Sequence, residues 1–236
     1  MFFKNKIKNI RNADLVLEIG PGATPHFRSD VFLEKRFDTK EELIAQSGHV
    51  GLLQTEKKVV YYDGDIFPFE DKEFDYVICS HVLEHVMNPE IFIKEIVRVG
   101  KKGYIEFPTI YYEYLYNFPE HLNFLLYKEK TVKWLSKEKS SLSDFDGIQT
   151  FNRETLKRGY NTLIKENASI FVQGFEWFNT IEFAKASKIE ELFFSEEINI
   201  VLKDPKKLDY SSLSTIKFFS AKFVMLLNRF KRKLGL

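Results

Sequence analysis

The chain has 236 residues, 44% of them hydrophobic and 29% charged, enough to bury the core of one globular domain with additions and too apolar for a disordered protein. Eleven glycines, seven prolines and one cysteine exclude low-complexity and collagen-like classes, and lone Cys79 excludes an intramolecular disulfide or a cysteine-based zinc cluster. The net charge of +1 hides a segregation: no acidic residue follows Asp209, and the six basic residues beyond it put +6 on the last 27 residues and −5 on residues 1–209, so the body is no polyanion binder.

The N-terminal stretch lacks a long apolar core followed by a small-residue cleavage site, and no apolar run reaches the ~20 residues that cross a bilayer. These features predict a cytoplasmic protein. A continuous apolar run, Leu15-Val16-Leu17, ends in Glu18-Ile19-Gly20-Pro21-Gly22, and a second, Val31-Phe32-Leu33, ends in Glu34. Val59–Tyr62 precedes Asp63-Gly64-Asp65, Tyr76–Cys79 precedes Ser80-His81, and Gly103–Phe107 precedes Pro108. Such runs, each ending at polar or turn residues, predict buried parallel strands. Helical signals fall at Glu41–Ala45 and at Asn88–Val99, where Pro89 stands at the start and Ile91, Phe92, Glu95, Ile96 and Val99 recur at helical spacing. Alternating strands and helices predict a doubly wound α/β sheet.

The second half is less regular. Lys128–Lys139 and Arg153–Glu166 are predicted helical, and Ala168–Trp177, Ile181–Ala186 and Ile198–Leu202 are predicted strands that complete the sheet, with an insertion over about 108–150.

Glycines directly after a buried strand let a ligand approach the backbone. Here Glu-x-Gly-x-Gly stands in that place, and Glu34, after the next strand, is an acid suited to ribose hydroxyls. The third glycine of the dinucleotide fingerprint is missing and the acid comes early. The block over residues 64–107 then adds Asp65-Ile66-Phe67-Pro68-Phe69, Phe74-Asp75-Tyr76-Val77, His81-Val82-Leu83-Glu84-His85 and Glu95-Ile96-Val97-Arg98-Val99. With the glycine loop, these five motifs in this order resemble class I S-adenosylmethionine-dependent methyltransferases, particularly the type 11-like group.

The resemblance implies a Rossmann-like, mostly parallel seven-stranded sheet and S-adenosylmethionine as cofactor. It puts Gly20 and Gly22 beside the methionine portion, Glu18 near its amino group and Glu34, in preference to Glu41 or Glu42, on the ribose. Asp65 and Ile66 would border the adenine, and Ser80 and His81 would lie on the cofactor floor facing the substrate. After Gly22 the chain departs from the family, reaching Val31 with Ala23-Thr24-Pro25-His26 in between, so the first helix is expected to be short or absent.

The aromatic stretch 107–127 falls where the family builds its substrate cover, and His121 within Pro119–Phe124 is the candidate substrate-facing base, with His81 as the second. Glu84-His85 reads as an acid/base pair or as a structural element of the loop, and Asp75 as a turn anchor. His81 and His85 share an i, i+4 spacing but have no third ligand at zinc spacing nearby, so no metal is expected. From Ile216 an apolar stripe, Ile216, Phe219, Phe223, Leu226, Phe230 and Leu234, precedes a basic end. It predicts an amphipathic helix that either packs on the body or touches anionic lipid at the inner face of the membrane.

The domain division is thus 1–209 and 210–236. The function expected is methyl transfer to a small-molecule or saccharide acceptor, at oxygen, in cell-surface glycan biosynthesis. The rivals are another nucleotide- or NAD-binding α/β enzyme and an inactive cofactor-binding scaffold with a partner-binding tail. The acidic body argues against a nucleic-acid substrate, and the oligomeric state is not legible.

Overall fold

The computed structural model describes residues 1–37, 39, 41–42, 53–63, 65–159 and 161–194, all within the first of the chain's two units, Met1–Ile198. The strand expected at Ile198–Leu202, the C-terminal helix and most of the helix expected from Glu41 lie outside these residues; Glu41 and Glu42 are helical.

Five parallel strands, β1 (Val16–Ile19), β2 (Val31–Lys35), β3 (Lys58–Tyr62), β4 (Tyr76–Ser80) and β5 (Lys102–Pro108), and the antiparallel β8 (Val172–Phe178) make a six-stranded sheet in the order β3-β2-β1-β4-β5-β8. β1 and β4 are buried along their length apart from Ser80, as continuous apolar runs require when both faces are covered. This is a Rossmann-like α/β fold. Strand order reverses between β1 and β4, the place in such a sheet where ligands bind beyond the carboxyl ends.

One face packs on α1 (Pro89–Val99). Asn88 caps this helix by accepting the Ile91 N–H at 3.2 Å, Pro89 pre-sets its first turn, and Phe92, Ile93, Ile96 and Val99 bury into the core with Leu17, Ile19, Val77 and Ile105. No helix joins β1 to β2, in line with the short connection. The opposite face is covered by the N-terminal segment: Met1, Ile7 and Ile10 pack on Val16, Tyr76, Ile78 and Tyr104. Its backbone N–H groups satisfy two carboxylates of the sheet, Phe2 and Phe3 donating to Glu106 and Lys8 and Asn9 to Glu176.

Ala168–Phe171, expected to open a strand, is a short helix, and the helix expected over Arg153–Glu166 is interrupted between Lys157 and Thr162; the second half departs from expectation in two further ways. Lys128–Lys139 is not a helix: β6 (Asn123–Lys128) and β7 (Thr131–Ser136) form a hairpin whose two-residue turn has Glu129 and Lys130 at φ +52° and +63°. Both central residues are left-handed, as a primed turn demands, and the absence of Asn or Gly hid it. Secondly, β9 (Glu182–Lys185), expected in the main sheet, pairs in parallel with β7, giving a separate sheet β6-β7-β9. Six strands, not seven, therefore make the main sheet among the described residues. Between the sheets and around them lie α2 (Ile110–Tyr116), α3 (Asp146–Lys157), α4 (Thr162–Glu166) and α5 (Ala168–Phe171). No helix among the described residues is long and apolar enough to cross a membrane.

Candidate active site

Gly20 and Gly22 adopt φ +59° and +57°, left-handed conformations that cost a residue with a Cβ about 1–2 kcal/mol. A Cβ on Gly20 would also lie 2.6 Å from Cγ2 of Val82, in the loop after β4. The two loops flanking the switch point thus touch because glycine stands there.

Glu18 is buried and its Oε2 is engaged within the loop, by the His26 N–H at 2.8 Å and the Ser29 hydroxyl at 2.5 Å. It shapes the turn in addition to any contact with a ligand. Glu34 receives the Gly22 N–H; burial, opposed by that donor and reinforced by nearby Glu18, pushes its carboxyl up to about 7. Tyr62, at the end of β3, is held above the ordinary phenol range by burial and by charge from Cys79, Glu34 and Asp65. It was missed in the sequence, although it stands directly before Asp63.

Asp65 and Ile66 are both exposed, Ile66 to 72%. The segment they enter is pinned from α1. Glu95 Oε2 accepts the Phe67 N–H at 2.7 Å, and Arg98 donates to the carbonyls of Phe67 and Phe69 at 2.9 and 2.8 Å while pairing with Glu95 and Asp71. Two sequence motifs, Glu-x-x-Arg and Asp-x-x-Pro-Phe, are therefore the two sides of one clamp.

Ser80 donates to Glu106 Oε1 at 3.0 Å. His81 follows at φ +57°, with Nδ1 3.2 Å from Glu84 Oε1 and Nε2 3.1 Å from Glu106 Oε1. Neither Nε2 nor either Glu84 oxygen has an aligned hydrogen bond, so these are charge contacts. Burial alone would lower the imidazole's pKa, but Glu106 and Glu84 overcome it and raise it to about 9. Glu106 and Glu84 thus favour the charged form of His81, in which the ring has no lone pair to accept a proton. Glu84 and Glu106 are drawn down to about 2 against burial, chiefly by His81.

The loop before β6 docks on the single helical turn Leu83–His85: Leu122 N–H donates to the Glu84 carbonyl at 2.7 Å and Asn123 Nδ2 to the Val86 carbonyl at 2.6 Å. His121 Nδ1 meets buried Glu113 of α2, which Lys137 also holds at 2.8 Å. Burial lowers the His121 pKa, and Glu113 outweighs it to raise it. His85, by contrast, is lowered by burial. A cleft of about 430 Å³ is lined by His121, Asn117, Asn123, Lys137 and Ser143 among others; Gly20, Gly22, Glu34 and Asp65 do not line it. Sequence spacing paired His81 with His85, whereas the fold gathers Glu84, His85 and His121, whose ligating atoms lie within 4.8 Å of one another.

Residues 19–105 match the family model of a methyltransferase domain, type 11. This segment is similar to the methyltransferase domains of that family. An uncharacterized protein of Methanocaldococcus jannaschii is 34% identical over 87 residues, which are 37% of this chain and 40% of that protein's length. Among solved structures, the YcgJ protein of Bacillus subtilis is 19% identical, with 61% of this chain and 63% of that one covered at a TM-score of 0.36. A SAM-dependent methyltransferase of Methanosarcina mazei is 18% identical, covering 51% and 69% at 0.31. A putative methyltransferase of Haloferax volcanii, solved in complex with the Trm112 methyltransferase activator, is 17% identical, covering 42% and 47% at 0.31.

A methyltransferase domain takes S-adenosylmethionine as its cofactor, and the residues present fit that molecule. The glycine loop brings backbone rather than side chain to the carboxyl ends of β1 and β2, Glu34 offers a carboxylate there, and exposed Ile66 beside Asp65 offers an apolar surface with an acceptor next to it.

Proposed function

We propose that the protein transfers a methyl group from S-adenosylmethionine to a small-molecule or saccharide acceptor, at oxygen. The observation that carries this reading is the left-handed Gly20-Pro21-Gly22 loop with Glu34 receiving the Gly22 N–H, inside the segment that matches the family. The bound cofactor supplies an activated methyl on a sulfonium, so the protein's task is to place the acceptor, exclude water and remove a proton. Glu34 holds the ribose hydroxyls, Asp65 accepts from the adenine amine while Ile66 packs on its face, and Gly20 and Gly22 admit the methionine portion close to the backbone with Glu18 near its amino group. Ser80 and His81 line the floor, with His81 the second candidate base. His121, whose Nδ1 is engaged by Glu113, has Nε2 left to take the hydroxyl proton.

An acceptor of the cell-surface glycan class suits the aromatic cover and the basic tail, whose charge segregation favours contact between residues 211–236 and anionic lipid on the cytoplasmic face. Incubation with methyl-labelled S-adenosylmethionine and a cell extract is expected to give a labelled, hydroxyl-methylated small molecule or glycan. Tight calorimetric binding of S-adenosylhomocysteine with no label transferred to any acceptor would instead make the protein a scaffold, and tight binding of NAD would make it a different enzyme. Loss of liposome sedimentation on deleting 211–236 is the expected outcome for the tail.

A further inference from the structure

We propose that Glu84, His85 and His121 form a binding site for one divalent metal ion of the class that imidazole favours, with zinc as its reference member. The inference stands on this cluster and does not depend on methyl transfer.

The donor set is two imidazoles and a carboxylate, a ligand set characteristic of zinc sites that keep a position open. Spacing concealed it, because His121 comes from the loop before β6, while the other two are adjacent in the helical turn after β4.

The state of each donor points to an ion. Glu84 is fully buried, and neither carboxylate oxygen has an aligned hydrogen-bond partner. A carboxylate in that setting is costly unless a cation meets it. His81 supplies positive charge 3.2 Å from Oε1, so it is Oε2 that is left without a partner.

Each histidine is also oriented from behind. His85 Nδ1 lies 3.0 Å from the Glu120 carbonyl, so it donates there and leaves Nε2 with its lone pair. His121 Nδ1 meets the Glu113 carboxylate, itself fixed by Lys137, and again Nε2 is left. A histidine whose second nitrogen is held by a carbonyl or a carboxylate is the arrangement that sets tautomer and ring direction in metal sites. The two rings stand perpendicular with centroids 4.6 Å apart, so they converge without stacking. The donor atoms are spread over up to 4.8 Å, wider than the roughly 3.5 Å expected around a tetrahedral ion with Zn–N near 2.1 Å; binding draws the side chains in.

Three protein donors would leave a fourth position for water or an acceptor oxygen, and of the three His121 also borders the cleft. An imidazole nitrogen cannot hold an ion and accept a proton at once. A bound ion would acidify a hydroxyl placed in the fourth position, and His121 would then serve as a ligand in place of a base.

The test uses the full chain stripped with chelator. Titration with zinc chloride is expected to show one ion bound per chain with micromolar or tighter affinity, and cobalt(II) is expected to give the visible absorption of a four-coordinate nitrogen and oxygen site. His85→Ala and His121→Ala are each expected to abolish stoichiometric uptake. Glu113→Gln, which leaves all three donors in place, is expected to retain one site with roughly 10-fold to 100-fold weaker binding. Absence of stoichiometric zinc in the unmodified chain, or uptake unchanged in both histidine variants, overturns the proposal. S-adenosylhomocysteine titrated into the same stripped sample reports separately on the cofactor reading, so either result can fail without the other.

Discussion

The Glu106 carboxylate lies 3.1 Å from Nε2 of His81 while also receiving the backbone N–H groups of Phe2 and Phe3. The N-terminal segment and the end of β4 are thereby tied to one buried charge, which together with Glu84 raises the pKa of the histidine beside it.

Stability is expected to follow this pairing. Because the folded-state pKa of His81 is raised to about 9, its contribution is full below the unfolded value of 6.5 and is lost as pH rises through 9. At the acid end, Glu84 and Glu106, drawn down to about 2, contribute above 4.5 and lose that contribution as pH falls towards 2. Urea unfolding at pH 6 and pH 9.5 should show the unmodified chain losing about 1–3 kcal/mol more than His81→Gln over that interval. Equal losses in the two proteins would remove the pairing from the account.

Cofactor affinity should depend on Glu34 in the opposite sense. Burial pushes this carboxyl up to about 7, so the charged form that accepts best from ribose hydroxyls fills as pH rises from 6 to 8. Calorimetry with S-adenosylhomocysteine is expected to show affinity increasing over that range. Glu34→Gln should weaken binding by about 10-fold to 100-fold and flatten the pH dependence, since each hydrogen bond to a charged group contributes about 1.5–3 kcal/mol. A pH-independent affinity in the unmodified chain would assign the ribose to another residue.

The Glu95–Arg98 clamp predicts a linked loss of stability and binding. Arg98→Met removes the donors to the Phe67 and Phe69 carbonyls and leaves Glu95 without its cation. Thermal unfolding should register about 1–3 kcal/mol of destabilisation, and S-adenosylhomocysteine should bind more weakly because the segment after Ile66 is released. Destabilisation with unchanged affinity would separate the clamp from the adenine side.

Gly20→Ala meets two obstacles, the left-handed backbone and Val82 Cγ2 at 2.6 Å. A loss of about 1–3 kcal/mol in urea unfolding is expected. Gly20→Ala combined with Val82→Ala should recover the steric part and keep the backbone part, a non-additivity read by a double-mutant cycle. Full additivity would mean that the two loops do not press on each other.

The main sheet was legible because its signals are local. A buried parallel strand is a short apolar run ended by polar residues, and β1 to β5 all read that way; Pro89 and the apolar spacing marked α1. The β6–β7 hairpin escaped because Glu129 and Lys130 adopt the left-handed turn without the Asn or Gly that announces it. β9 read correctly as a strand, but which sheet it joined is a matter of pairing partners, which its own residues do not encode.

For the site, the sequence by itself determined which residue types stand at the carboxyl ends of the strands, since glycines, Glu34 and Asp65 follow their strands at short spacing. The tertiary structure decided what those groups are chemically. Whether His81 is a base or a cation depends on Glu84, three residues on, and on Glu106 in the neighbouring strand. The convergence of His121 on Glu84 and His85 depends on a loop docking through backbone hydrogen bonds. Charge state and convergence are properties of neighbours in space, and electrostatic energy falls off with distance through the folded protein, not with separation along the chain.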